Sequence, residues 1–193
     1  MKRKIIFIVV LLCAVAVAIV GYTQSSKSTP ETSSASSSRA AQRQQRHIER
    51  EQRRAERQAA YERYIDSIVL ARNFQFSPQT IQQQPAGQVR ILNNPNFELS
   101  VWGSEVDLFL PYIKGVTPPY YTVMLNYTLP VVSRYVTEQT QEGWLVTFAS
   151  SLFSGSDYNF SLEIYTSTGS ATLTIGSSWY PDVQYNGSIS GLN

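Results

Sequence analysis

The residues of this sequence that could do acid–base chemistry are carboxylates, and a group of them stands around one predicted turn. If Gly103 and Ser104 form the turn of a hairpin, then Glu98, Glu105 and Asp107 share a face. That face also carries Ser100, Trp102 and Phe109. Paired acids beside an aromatic side chain are typical of enzymes that hydrolyse glycosidic bonds. The simpler interpretation is that this face is the solvent-exposed side of a strand pair, where polar residues are expected when the other side packs in the core.

Histidine and cysteine chemistry has little support in the sequence. His47 is the single histidine and lies among arginines and glutamines, where no pocket or orienting partner is indicated. Cys13 is the single cysteine and lies in an apolar run near the start. Residues 71–193 contain neither residue type, which excludes histidine-based triads and the usual Zn sites from them. We therefore expect a protein that is not an enzyme and has no cofactor.

Two hairpins would position the carboxylates and the apolar residues around them. A turn at Gly103 and Ser104 places Val101 opposite Val106, Leu99 opposite Leu108 and Phe97 opposite Leu110. In the second hairpin, around residues 166–169, the apolar residues are even-numbered before the turn and odd-numbered after it. Both sets can share one face of the sheet only if the loop between the strands has an even number of residues. We favour the four-residue loop 166–169 with positive φ at Gly169, because a two-residue turn would force Thr168 into the left-handed region.

Short alternating segments with turn signals between them continue through residues 71–193. About nine such segments predict an all-β domain, an antiparallel meander forming a small barrel or half-barrel after a long N-terminal helix. A barrel of this size can hold one small ligand or be packed solid with side chains. The aromatic residues expected to line or fill its interior are Phe97, Trp144, Phe148, Phe160 and Tyr185.

The predicted helix covers residues 39–70 and is rich in Arg, Gln and Glu without Gly or Pro. Helical apolar spacing appears only near its end, at Tyr61, Tyr64, Ile65, Ile68 and Val69. We expect these last turns to pack on the β domain. The earlier part is expected to be a solvated helix of the kind found in coiled coils.

The first 25 residues read as an export signal or a membrane anchor. Basic MKRK is followed by sixteen uninterrupted apolar residues, 5–20, and then by a polar stretch. A cleaved signal and an uncleaved anchor both fit, since the run is near the short end of what spans a bilayer. Residues 26–38 are rich in Ser and Thr and are expected to form a disordered linker.

Charge divides the chain into a basic arm and a mildly acidic body. Residues 39–70 hold eight Arg against four Glu and one Asp, whereas residues 71–193 hold four basic and eight acidic residues. An arginine-rich helix can contact phosphates or an anionic membrane surface. The predicted export argues against nucleic acid as its partner.

Four stretches together resemble a known family. ARNFQF, FELSVWGSEVDLFLPY, YNFSLEIYTSTGSATLTI and VQYNGSI occur in this order, and the match covers Arg72 to Ile189. They are similar to the exported Bacteroidetes family called domain of unknown function 4251. Two stretches, IKGVTPPYYTVM and SSWYP, depart from its pattern. The resemblance implies a compact, lipocalin-like β-barrel fold and implies no activity.

These observations lead to one expected function and one alternative. We expect an exported protein of the cell envelope, in the periplasm or anchored facing it. Its β-barrel module would bind a small apolar ligand or a protein partner without catalysis. The alternative is a hydrolase of envelope carbohydrate that uses Glu105 and Asp107.

Overall fold

The computed structural model describes residues 32–115, 119, 121–129, 133–153 and 156–192. The chain divides into two units, Met1–Ile48 and Glu49–Asn193. The described residues form helix α1 and ten strands: α1 (Thr32–Leu70), β1 (Asn73–Gln83), β2 (Arg90–Ile91), β3 (Glu98–Trp102), β4 (Glu105–Lys114), β5 (Tyr121–Leu129), β6 (Ser133–Gln139), β7 (Gly143–Phe153), β8 (Ser156–Tyr165), β9 (Ser170–Ser177) and β10 (Val183–Gly191).

Helix α1 begins at Thr32, seven residues before the start at Arg39 that the sequence favoured. Residues 32–38, which their composition predicts to lie in the linker, are therefore helical. Ser and Thr cost a helix only about 0.5 kcal/mol each relative to Ala, so a helix made of strong formers can extend through them. The predicted export segment, residues 1–25, lies outside the described residues. Within the described residues, no helix is both long and apolar enough to cross a membrane.

The strands form one antiparallel sheet that rolls into a half-barrel. Its order is β5-β4-β3-β1-β10-β9-β8-β7-β6, with β2 paired to β1 beside this path. Neighbours alternate in direction along the nine strands, so the two edge strands β5 and β6 run the same way. Only residues 130–132 connect them, and three residues span at most about 15 Å between flanking Cα atoms. The end of β5 at Leu129 and the start of β6 at Ser133 therefore lie close together.

The first hairpin has the predicted register. Leu99 pairs with Leu108 and Val101 with Val106 across β3 and β4. Gly103 has φ of +64°, the value that the first central position of a type II′ turn requires. Phe97 is an exception, because β3 begins one residue later, at Glu98. Its half-buried ring lies 5.6 Å from that of Phe109 instead of facing Leu110 as predicted.

The second hairpin also has the predicted loop. Leu162 pairs with Leu173 and Ile164 with Ala171 across β8 and β9, which leaves the four residues 166–169 as the connection. Gly169 has φ of +68°, and its N–H donates to the carbonyl of Tyr165 at 2.8 Å. The apolar sets of both strands thus face the core, as the even loop requires.

The core is formed by the inner face of the sheet together with the last turns of α1. Ile65 and Val69 are completely buried and Ile68 is 8% exposed. Tyr61 and Tyr64 lie at the margin, 37% and 44% exposed, and their hydroxyl groups bond to the β8–β9 loop and to strand β10. The Tyr64 hydroxyl accepts from the N–H of Gly191 at 2.8 Å. Residues 42–60 are exposed throughout, in agreement with a solvated first part.

Candidate functional site

The carboxylates of the first hairpin do not converge on one cleft. Glu98 and Asp107 line a shallow depression of about 190 Å³ together with Asn126 and Thr128, but Glu105 is outside its lining. Glu98 accepts a hydrogen bond from the amide of Gln75. Glu105 pairs with Trp102 beside the turn and is exposed.

Asp107 has one feature that its neighbours lack. Its Oδ1 is buried without a hydrogen-bond partner among the described residues. Asp107 pairs with Ser100 in the ladder, while Glu98 pairs with Phe109. Glu98 and Asp107 are thus diagonal neighbours, a relation that places Cβ atoms up to about 7–8 Å apart in antiparallel sheets.

Three of the aromatic residues expected in the interior belong to the packed core. Phe148 and Phe160 stack with ring centroids 4.7 Å apart, and the ring of Tyr135 stacks on Phe148 at 5.8 Å. Tyr185 is fully buried, and its hydroxyl donates to the carbonyl of Pro111 at 2.6 Å. These side chains pack against other protein atoms and fill this part of the interior of the half-barrel.

Burial has a clear effect on the core tyrosines. Desolvation raises the pKa of Tyr185 well above its usual value, with a further contribution from nearby Tyr112. Desolvation also raises the pKa of Tyr112 and of Tyr158, whose rings meet edge to face at 5.7 Å. Burial therefore favours the neutral form of these phenols even more strongly than water does.

Trp144 and the end of α1 meet at the margin of the core. The Nε1–H of Trp144 donates to Oδ1 of Asp66 at 2.7 Å. Two residues of α1 further back, at Gln58 and Tyr61, hold the loop between β8 and β9. The Gln58 amide donates to the carbonyl of Ser167 at 2.7 Å, and the Tyr61 hydroxyl donates to the carbonyl of Thr168 at 3.3 Å.

These contacts build an open cleft of about 640 Å³, which we call the acidic cleft. One wall is α1 and the others are the β6–β7 turn and the β8–β9 loop. Three carboxylates lie in its lining, and no Lys, Arg or His does. The lining residues are Glu62, Asp66, Gln139, Thr140, Gln141, Glu142, Gly143, Tyr165, Thr166 and Ser167.

Tyr165, which lines the acidic cleft, has a raised pKa, and the largest cause lies outside the cleft lining. The carboxylate of Glu163 raises the pKa of Tyr165 most, followed by burial and by the carboxylate of Glu142. Negative charge near a phenol disfavours the phenolate, and the same charge favours a cation. Because three carboxylates and no Lys, Arg or His line the acidic cleft, it is suited to basic groups. Among the described residues, no group of three or more His, Cys, Asp or Glu is arranged to hold a metal ion.

Sequence reasoning missed the acidic cleft because its residues are far apart in the chain. Asp66 is 78 residues from its partner Trp144, and Gln58 is 109 residues from Ser167. The apolar spacing at the end of α1 indicated that this segment packs on the β domain. It did not indicate which loops lie beside the polar side of the same turns.

Comparisons with known proteins agree with this fold. A family model described as "Domain of unknown function (DUF4251)" matches residues 56–189. The chain is also similar to a solved structure, the crystal structure of a DUF4251 family protein from Bacteroides eggerthii DSM 20697. The identity is 17% and the TM-score 0.54, over 69% of this chain and 91% of that chain. At this identity the likeness shows the fold alone. No curated protein matches the chain.

Proposed function

The chain belongs to the family of domains of unknown function DUF4251, and from that premise we propose that it is a non-catalytic binding module of the cell envelope. Its ligand is a basic segment of a partner protein, held in the acidic cleft. The observation that carries this proposal is the convergence of Glu62, Asp66 and Glu142 from two separate elements on one cleft.

The chemistry of the acidic cleft favours a peptide over a small apolar ligand. Its volume of about 640 Å³ is within the range of ligand sites, about 300–1,000 Å³. Side-chain amides and hydroxyl groups accompany the carboxylates, and they can pair with backbone groups of a bound chain. The aromatic residues Phe148, Phe160 and Tyr185, which an apolar ligand would need, pack within the core.

The non-catalytic part of the proposal is supported by the placement of the acids. The hydrolase alternative needs Glu105 and Asp107 on one cleft, and of these two acids Asp107 lines the depression on that face while Glu105 does not. The envelope location is supported by the sequence of the first 25 residues. Cell fractionation and N-terminal sequencing test this location. Full-length protein soluble in the cytoplasm would contradict it.

Photo-cross-linking in the producing cell tests the binding site directly. A benzoylphenylalanine at Gln141, in the lining of the acidic cleft, should give one discrete protein adduct. The matched control is the same amino acid at Gln79, an exposed residue of β1 outside that lining. Adducts at both positions in equal yield would contradict a specific site.

Charge-neutral variants then test the electrostatic part. Replacing Glu62 and Glu142 together by Gln should lower the yield of the adduct about tenfold. Two exposed ion pairs are then lost, and each contributes up to about 1 kcal/mol to binding. The control pair, Glu98→Gln with Glu105→Gln, removes the same charge outside the cleft and should leave the yield unchanged. A lipid or other apolar molecule that co-purifies with the protein in native mass spectrometry, without a partner protein, would overturn the proposal.

A further inference from the structure

The two edge strands of the sheet differ in how they are protected against pairing with another chain. Natural sheet edges are usually protected by charged side chains, by proline or by a bulge, because these features hinder the addition of a further strand. Strand β6 is protected in this way. A bulge interrupts its register with β7, Arg134 has φ of +54°, and both Arg134 and Glu138 are exposed.

Strand β5 has none of these features. Its nine residues, YTVMLNYTL, contain no Lys, Arg, Asp, Glu or Pro, and its register with β4 is continuous from Tyr121 to Leu129. Among the described strands, β5 pairs with β4 alone. Tyr121 is 64% exposed and Met124 is 42% exposed. A long, regular and uncharged edge of this kind is a template for a further strand.

The backbone groups on the open side of β5 follow from the first hairpin. Its two-residue turn makes Trp102 and Glu105 a hydrogen-bonded pair, so the odd-numbered residues of β4 bond to β3 and the even-numbered ones bond to β5. The partners of those even-numbered residues are the odd-numbered residues of β5. The N–H and C=O groups of the even-numbered residues of β5 therefore point away from β4. Three of these residues, all of them exposed, are Thr122, Met124 and Asn126.

We propose that β5 pairs in antiparallel fashion with β5 of a second copy of this chain, about a twofold axis at Met124. Thr122 of each copy is then opposite Asn126 of the other, and Met124 is opposite Met124. These three positions supply about six hydrogen bonds between the two copies, because each has its N–H and C=O groups on the open side. The exposed side chain of Met124 becomes the centre of the interface.

The axis is placed at Met124 because the other end of β5 is covered. Leu129 is 6% exposed and lies close to the start of β6, where Ser133 pairs with Ala149 of β7. Strand β7 also approaches β5 without pairing with it. Residues 121–127 are therefore the open part of the edge, and Met124 is their midpoint.

A second copy is the occupant that this edge fits. A twofold axis places each residue of β5 opposite a residue of the same strand, and like charges do not meet because β5 carries none. Tyr and Met are among the side chains enriched at protein interfaces. Pairing β5 with β5 also uses both open edges and leaves the two protected β6 edges outside, so the assembly closes at two copies. The proposal is independent of the acidic cleft, whose lining contains no residue of β5.

Charges placed on the axis test the proposal. The full chain is kept in a non-ionic detergent because of its apolar run 5–20, and the dissociation constant of the dimer is measured by sedimentation equilibrium. Met124→Lys and Met124→Glu each place two like charges directly opposite one another, so each should raise this constant at least about tenfold. An equimolar mixture of the two variants should dimerise about as well as the wild type, because opposite charges then meet on the axis.

The matched control is Val136→Lys on the other edge strand, β6. Val136 is 43% exposed, almost the same as Met124, and its replacement should leave the dissociation constant unchanged. An equal loss of dimer in Val136→Lys would indicate pairing through β6 and would overturn the proposal. So would a wild-type chain that remains monomeric at about 100 μM, a concentration at which even weak specific complexes form.

Amide hydrogen exchange, measured by NMR on the wild type and on Met124→Lys at the same concentration, locates the contact. The amide protons of Thr122 and Asn126 should exchange at least about tenfold faster in the variant, because they lose their partners in the second copy. Those of Val123 and Leu125 bond to β4 and should not change, which also shows that the variant is folded. Equal exchange at Thr122 and Asn126 in the two proteins would overturn the pairing through β5.

Discussion

The hydroxyl oxygen of Tyr61 lies only 2.1 Å from the position that a Cβ atom at Gly169 would occupy. The same hydroxyl donates to the carbonyl of Thr168 at 3.3 Å. Gly169 in turn accepts a hydrogen bond on its carbonyl from Ile189 N–H at 2.8 Å. One glycine thus brings helix α1, the β8–β9 loop and strand β10 together, and these contacts shape one wall of the acidic cleft.

The first prediction concerns this close approach. Gly169→Ala combines a positive φ of +68° with a clash against Tyr61, whereas Gly103→Ala has a φ of +64° and nothing within 4 Å. We expect Gly103→Ala to cost about 1–3 kcal/mol and Gly169→Ala about 1–3 kcal/mol more. Urea unfolding of both variants measures the difference. Adding Tyr61→Phe to Gly169→Ala should recover part of the extra loss; equal losses at the two glycines would contradict the contact.

The second prediction compares two isoleucines of α1. Ile65 is fully buried and Ile48 is 46% exposed. Ile65→Ala should lower the free energy of unfolding by about 2–5 kcal/mol, because it leaves a cavity. Ile48→Ala should change it by less than about 0.5 kcal/mol. The free energies of unfolding of the two variants are measured by urea denaturation. Similar decreases for both would contradict the division of the helix into a packed part and a solvated part.

The third prediction concerns the bond between Trp144 and Asp66. Asp66→Ala removes the acceptor 2.7 Å from the indole nitrogen and leaves a half-buried N–H without it, at a cost of about 1–3 kcal/mol. Asp66→Asn keeps an oxygen at the same position and should cost less. The indole N–H resonance of Trp144 should exchange with solvent faster in Asp66→Ala than in Asp66→Asn. No change in exchange between wild type and Asp66→Ala would refute the bond.

The fourth prediction is a pH dependence at high pH. Burial raises the pKa of Tyr185 well above its usual value, so above about pH 10 the unfolded chain releases this proton while the folded chain keeps it. The stability contributed by Tyr185 is therefore complete below pH 10 and is lost as the pH rises further. Per group the slope is about 1.4 kcal/mol per pH unit.

Tyr185→Phe tests this dependence. The variant should have a shallower decline in the free energy of unfolding above pH 10, measured by urea titration at a series of pH values. At neutral pH it should be less stable by about 0.5–1.5 kcal/mol, because the hydrogen bond to the carbonyl of Pro111 is lost. An unchanged slope above pH 10 would contradict the buried, neutral phenol.

Much of the β domain could be predicted because its turns and strand faces depend on residues close together in the sequence. The alternation around Leu162 and Leu173 requires an even loop, and Gly169 is the residue that tolerates a positive φ there. The same reasoning gave the register of Leu99 with Leu108. The prediction was wrong for Phe97, because the alternation continues in the sequence but the hydrogen-bonded ladder stops at Glu98. Where a strand ends depends on whether the neighbouring strand has residues that can pair with it.

The sequence by itself determined the strand faces, the two turns and the packing end of α1, because each depends on residues within a few positions of one another. Only the tertiary structure decided that Glu62, Asp66 and Glu142 share a cleft while Glu105 does not share one with Asp107. It also decided that Phe148, Phe160 and Tyr185 are packed in the core. The physical reason is that a cleft forms where distant elements meet, and local propensity carries no information on which loops become neighbours when a sheet rolls around its core.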